Sequence, residues 1–242
     1  MVRYRIARDF FKLVQWALLA RLKVTGRENI LLHGPYLVTT NHMSAADTPI
    51  LLISLPPLPW RFFAGEKWQA HPVFGPIMHY LGGIYIQRGE VDRRALREAL
   101  AAIEEGAVFG LAPEGSRSKA AQLSPGKDGA AYLASRADVP IVPVGIVNSD
   151  KLFGNAKRLR TTKLEVHVGE PFTLPDLGRR PRRADLSAYT ELIMVHIAAL
   201  LPERYHGAYK DSEALKALLE GRDPWPYCPE ATQPPREENA QG

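Results

Sequence analysis

By type and spacing, the side chains best suited to chemistry are His42 and Asp47, in the stretch Asn41-His42-Met43-Ser44-Ala45-Ala46-Asp47. An imidazole with an ordinary pKa near about 6.5 accepts a proton at cellular pH, provided its other ring nitrogen is held in one tautomer. Asp47 supplies the holder. The spacing is a little over one helical turn, and a loop entering a helix folds the carboxylate back onto the ring, as in the His and Asp part of a serine-protease triad. Such a pair needs no serine nucleophile when the acceptor substrate brings its own hydroxyl. The same residues also allow a structural reading, in which Asn41 or Ser44 caps a helix, His42 is a satisfied polar side chain and Asp47 supports the first helical turn. Both readings stand on this stretch alone.

The surrounding sequence predicts elements that deliver these and other polar groups to one end of a sheet. Tyr36 to Thr40 reads as a buried strand ending at His42, and Thr48 to Ile53 as an apolar helix with Pro49 in its first turn. Trp60 to Ala64 is a strand, and the run holding Lys67, Pro72, Gly75 and Pro76 is a short broken helix. Gly82 to Arg88 is a strand in which Ile84, Ile86 and Arg88 share a parity, so burial of the isoleucines sends Arg88 the same way, toward an anion such as phosphate or a salt bridge with Glu90 or Asp92. Arg93 to Glu105 is a helix. Ala107 to Ala112 is a strand ending in Pro113-Glu114-Gly115-Ser116-Arg117-Ser118, a tight loop from which Glu114 and Arg117 project, either to each other or to a ligand. Ser124-Pro125-Gly126-Lys127 is not a phosphate loop, because Asp128 replaces the required Ser or Thr. A helix over 127–136 follows, then an apolar strand over 139–146 whose Pro140 and Pro143 predict an edge or a bulge. A strand over 160–168 and an amphipathic helix over 186–201 complete the pattern, which alternates as an α/β domain does.

With 242 residues, 45% of them apolar and 24% charged, the default is one domain with a full core, not a disordered chain. The lone Cys228 has no disulfide partner and no zinc-ligating companions. Net charge is +5, and six basic residues against Asp9 in the first 23 positions account for all of it. No basic groove with stacking aromatics is evident, so nucleic acid is not an expected partner. Residues 1–23 are expected to form an amphipathic helix through Leu22, ended by Gly26. Its Phe10, Phe11 and Trp16 would enter the headgroup boundary of an anionic membrane, although packing on the core is the other use of such a stripe. The apolar run is too short to span a bilayer, and no small-residue cleavage site of the secretory kind follows it. The expected organisation is 1–23 helix, 24–220 catalytic domain and 221–242 flexible tail. Arg179 to Arg183 is a basic loop, solvated or touching lipid headgroups or an acidic carrier.

Taken together, these blocks resemble the glycerolipid acyltransferase family, whose members include the PlsC-like 1-acylglycerol-3-phosphate (lysophosphatidic acid) acyltransferases. The resemblance covers roughly residues 24 to 210. Asn41, His42 and Asp47 match its first block, Gly83, Ile86 and Arg88 the second, and Val139, Pro140, Ile141 and Pro143 the fourth; Lys67, Pro72 and Gly75 also fall where relatives have them. The third, usually F-P-E-G-T-R-S, is Ala112-Pro113-Glu114-Gly115-Ser116-Arg117-Ser118 here, changes that keep the charged pair and a hydroxyl. The resemblance implies a mixed, largely parallel sheet between helices and transfer of a fatty acyl group from acyl-CoA or acyl carrier protein to a lysophospholipid. No cofactor or metal is implied. It implies His42 as general base and Asp47 as its orienter, with Lys67, Arg88, Glu114, Gly115, Ser116 and Arg117 in the acceptor site. There the cations would bind phosphate, Glu114 would hold a glycerol hydroxyl or the arginines, and amides near the His42 loop would stabilise the oxyanion. The implied location is the cytoplasmic face of the cell membrane. Glycerol phosphate, another lysolipid or a glycolipid are alternative acceptors, and a thioester hydrolase or a non-catalytic lipid-binding protein are rivals from other classes.

Overall fold

The computed structural model describes residues 2–72, 74–87 and 92–228. Seven strands form one sheet: β1 (Ala20–Thr25), β2 (Tyr36–Thr40), β3 (Trp60–Gly65), β4 (Gly83–Ile86), β5 (Val108–Leu111), β6 (Ile141–Val147) and β7 (Thr162–Val168). Their order is β1-β7-β6-β2-β5-β3-β4, and every neighbouring pair is parallel except β6 with β7. Helices cover both faces, which is why β2 is buried at every position and carries Leu37 into one core and Tyr36 and Val38 into the other. On the Tyr36 face lie α1 (Val2–Ala17), α2 (Asp47–Ser54) and α3 (Phe74–Tyr80); on the Leu37 face lie α4 (Arg93–Glu104), α5 (Gly129–Ala137), α7 (Arg183–Ala199) and α8 (Glu213–Leu219). A short α6 (Leu152–Lys157), not expected from the sequence, connects β6 to β7.

After β2 the chain enters α2 on one face, whereas after β5 it passes through a long loop to α5 on the other. The adjacent ends of β2 and β5 thus form a point where the winding changes side, the usual place for a crevice in an open α/β sheet. His42 follows β2 and the Pro113–Ser118 loop follows β5.

Several expectations are corrected. The first helix stops at Ala17, and residues 20–25 pair with β7 instead, so the proposed boundary at residue 23 falls inside a strand. Leu19 takes a left-handed φ of 55° at the break, and Arg21, Leu22, Lys23 and Val24 alternate exposed and sheltered with the period of a strand. Gly26 follows β1 with φ 71°, and a Cβ there would lie 1.9 Å from the Val168 carbonyl oxygen, so the turn admits only glycine. The α1 helix has two apolar faces in place of one: Tyr4, Ala7 and Phe11 pack inward, with the Tyr4 hydroxyl donating to the Trp60 carbonyl at 2.8 Å, while Ile6, Phe10, Leu13 and Trp16 are exposed. Pro143 lies in the interior of the sheet, not at an edge. Its missing N–H is tolerated because the partner chain bulges opposite it: Val144 pairs with Val168 but Ile141 pairs with Phe172, so two residues face three, and the Gly169 amide donates to the Pro143 carbonyl. The α7 helix is buried around most of its girth, not amphipathic. Chain packing continues past Gly221, since Trp225 lies against Tyr189 and Cys228 is buried; residues 229–242 lie outside the described residues.

Candidate active site

The Asp47 carboxylate organises the loop between β2 and α2. Its Oδ2 accepts from His42 Nδ1 at 2.8 Å, from the Met43 amide at 2.8 Å and from the Ser44 amide at 2.7 Å. Asp47 is buried, and its Oδ1 has no hydrogen-bond partner among the described residues. A carboxylate can only accept, so Nδ1 of the neutral ring carries the proton and Nε2 keeps its lone pair. The His42 side chain is 19% exposed, open enough for a substrate to reach that nitrogen.

Asn41 and Glu114 fix the same loop from two other sides. Asn41 is not a helix cap. Its side-chain amide donates to the Ile146 carbonyl at 2.9 Å and its oxygen accepts the Ile146 amide at 2.7 Å, clamping the end of β2 to β6. Glu114, expected to hold an acceptor hydroxyl or an arginine, instead points inward and is 2% exposed. Its Oε1 accepts the His42 amide at 2.8 Å and its Oε2 the Ser124 amide at 2.9 Å. Burial raises its pKa above the ordinary carboxylate range, and these two N–H donors work against that rise. The Ser118 amide returns a bond to the His42 carbonyl at 2.8 Å, so the β2 and β5 loops are stitched in both directions. The amides of His42, Met43 and Ser44 are all spent in these bonds, so the expected oxyanion donors in this loop are committed elsewhere.

A groove of about 190 Å³ opens beside the pair. His42, Asp47 and Thr40 line one end, and Leu51, Leu52, Trp60, Phe62 and Phe63 give it an apolar wall. Gly115 and Lys127 close the polar side. Gly115 adopts φ 71°, and a Cβ there would come within 3.1–3.3 Å of the Lys127 side chain, Nζ included. The Lys127 amide donates to the Pro113 carbonyl at 2.8 Å, which ties the start of α5 to the β5 loop. Lys127 is the one cation among the described lining residues, although its local sequence is not a phosphate loop. Its proximity to Gly115, 12 positions earlier, comes from tertiary structure, which no local motif reports.

The remaining expected residues are placed less centrally. Arg88 lies outside the described residues. Ser116 and Arg117 are exposed on the β5 loop, and no ion pair joins Arg117 to Glu114. Lys67 is exposed in a short 3₁₀ turn, its ammonium 5.3 Å from the Trp68 ring centre, and does not line the groove. In the basic loop, Arg179 is committed to structure: it grips buried Asp185 with bonds of 2.6 and 3.0 Å, which holds that carboxyl below its usual range.

The sequence profile described as Acyltransferase matches residues 21–147, more than half of the chain. The chain belongs to this acyltransferase family. It is 26% identical over 148 residues to a 1-acyl-sn-glycerol-3-phosphate acyltransferase of Borreliella burgdorferi, covering 60% of this chain and 59% of that protein. It is 31% identical over 162 residues to a Saccharomyces cerevisiae protein of the same name, covering 63% and 51%, and 33% identical over 148 residues to the human beta form, covering 60% and 52%. The chain thus spans little more than half the length of these relatives. Among solved structures, the 1-acyl-sn-glycerophosphate acyltransferase PlsC of Thermotoga maritima superposes with a TM-score of 0.66 at 26% identity, over 81% of this chain and 78% of that one.

Proposed function

We propose that the chain is an O-acyltransferase that moves a fatty acyl group from an acyl thioester to the free hydroxyl of a lysophospholipid, with 1-acyl-sn-glycerol 3-phosphate as acceptor and phosphatidic acid as product. The observation that carries this reading is the 2.8 Å bond between His42 Nδ1 and Asp47 Oδ2 at the head of an apolar groove. The names of the relatives favour this acceptor.

In this reading His42 Nε2 takes the acceptor's hydroxyl proton as the oxygen attacks the thioester carbonyl. Asp47 stabilises the imidazolium so formed. The C–S bond then breaks, the thiolate leaves with the proton from Nε2, and an ester and a free thiol remain. The apolar wall holds the first carbons of the acyl chain. At about 190 Å³ the groove is smaller than the roughly 300–1000 Å³ of drug-sized sites, so it takes the reacting ends of both substrates while their tails run outside. Lys127, with Arg88 and Arg117, attracts the acceptor's phosphate, and Glu114 acts as a positioning residue. The donor is acyl-CoA or acyl carrier protein.

The exposed apolar stripe of α1, between basic side chains, lays the protein on the cytoplasmic face of a membrane, where its substrates are dissolved. No helix among the described residues is long and apolar enough to cross a bilayer. A panel of acceptors incubated with one acyl-CoA and read by lipid mass spectrometry tests the assignment. Phosphatidic acid from lysophosphatidic acid should dominate, and preferential acylation of glycerol 3-phosphate, a glycolipid or a phosphate-free monoacylglycerol would overturn it.

A further inference from the structure

A second cavity, of about 620 Å³, lies at the opposite end of α2 from His42. An eight-residue helix rises about 12 Å, so this cleft is separate from the catalytic groove. Its charged lining is Arg8 and Lys12 from one flank of α1 and Arg27 from the turn after β1. No carboxylate lines it among the described residues. The carbonyl end of α2 borders the cleft, but a helix terminus supplies only about half an elementary charge, well short of neutralising three cations. Arg8 is the informative member. Its Nε is buried without a hydrogen-bond acceptor, and its ion contact, Asp9 at 3.6 Å, is 67% exposed and screened by water. That leaves the guanidinium, whose side chain is 28% exposed, weakly paired and available to an anion in the cleft.

The rest of the lining favours a lipid over a soluble ion. Leu22 and Leu32 share the wall with the cations, and Leu32 is 67% exposed. On α1, Arg8 and Lys12 lie beside the stripe of Ile6, Phe10, Leu13 and Trp16, of which Trp16 is 76% exposed. A phosphate held by the cations would therefore carry its acyl chains onto that stripe.

We propose that this cleft is a second, non-catalytic lipid site, in which Arg8, Lys12 and Arg27 hold the phosphate of an anionic membrane phospholipid. The proposal rests on the membrane reading of α1 and adds to it a defined headgroup site. The experiment is sedimentation of the full chain with vesicles of phosphatidylcholine alone and of phosphatidylcholine mixed with phosphatidylglycerol. Each basic contact strengthens partition about fivefold, so the triple variant Arg8→Gln, Lys12→Gln, Arg27→Gln should lose on the order of 100-fold on the anionic vesicles. It should lose little on neutral vesicles and still acylate a detergent-dispersed acceptor. The charge-matched variant Arg97→Gln, Arg136→Gln, Lys216→Gln, at exposed positions of α4, α5 and α8 across the sheet from α1, should lose less than threefold. Equal losses from the two variants would mean a diffuse field and would overturn the site, as would parental binding by the first. Displacement by glycerol 3-phosphate at matched ionic strength would assign the cleft to soluble phosphates and overturn the lipid assignment. If the parent chain binds neither vesicle, the membrane reading itself fails, a result distinct from a parent that binds and a triple variant that binds equally.

Discussion

Replacing Asp47 by asparagine separates the two tasks that one carboxylate performs. An amide oxygen in place of Oδ2 still accepts from the Met43 and Ser44 amides, so the loop should keep its shape. The charge opposite the imidazolium of the proposed mechanism is what disappears. At 2.8 Å and an effective dielectric constant of about 20, two unit charges interact by about 6 kcal/mol, a ceiling for the stabilisation lost when the ring is protonated in the transition state. That ceiling corresponds to about 10⁴-fold in rate, similar to the loss when the aspartate of a serine-protease triad becomes asparagine. Asp47→Ala is a poorer probe, because it strands two buried amides at roughly 1–3 kcal/mol each and confuses folding with chemistry. The assay is free-thiol release from acyl-CoA at saturating lysophosphatidic acid, alongside urea unfolding. We expect Asp47→Asn to lower kcat by 10³- to 10⁴-fold and, because its amide nitrogen replaces the buried Oδ1 that has no partner, to cost about 1–3 kcal/mol of stability while the chain stays folded. A variant within tenfold of the parent in kcat would refute the idea that this carboxylate stabilises a protonated ring.

Three further outcomes are expected. Lys127→Met should raise the KM for lysophosphatidic acid about tenfold with little change in kcat, while leaving monoacylglycerol kinetics alone, and Lys127→Arg should recover part of the loss. Gly115→Ala places a methyl group against the Lys127 side chain at a left-handed φ; it should cost about 1 kcal/mol in chemical unfolding and shift acceptor KM in the same direction as Lys127→Met. Burial holds the His196 imidazole, stacked on Phe172 at 3.9 Å, down to about 4. The unfolded chain takes up that proton first, so its contribution is complete above about pH 6.5 and is lost as pH falls toward 4, by at most about 3 kcal/mol. Glu114 and Glu191, both raised by burial, act in the opposite sense in acid, so the readout is the difference in urea stability between parent and His196→Gln across that interval.

Much of the candidate site was legible because its signals are local. The spacing of His42 and Asp47 is that of a loop folding back at the start of a helix, and the apolar runs before His42 and Pro113 mark strands that end where polar residues begin. What was missed depends on partners distant in sequence. Nothing near Glu114 reveals that its two oxygens answer amides at 42 and 124, and nothing near Asn41 points to Ile146. Proline chemistry argued correctly that Pro143 cannot complete a regular ladder, but the bulge that relieves it belongs to the segment after β7. The error at the end of α1 has a different source: Ala20 to Thr25 alternates visibly, yet its leucine and valine also extend the helical stripe before them, and only the partner strand β7 decides between the periods.

In the proposed mechanism one imidazole removes a proton from an alcohol carried by the lipid acceptor. The most direct measurement is thiol release from acyl-CoA by the parent chain and by His42→Ala, each with and without lysophosphatidic acid. Release by the parent is expected only when the acceptor is present, with phosphatidic acid formed in equal amount, and no detectable release is expected from a folded His42→Ala. Release by the parent without acceptor would identify a hydrolase, and full activity in His42→Ala would remove the imidazole from the mechanism.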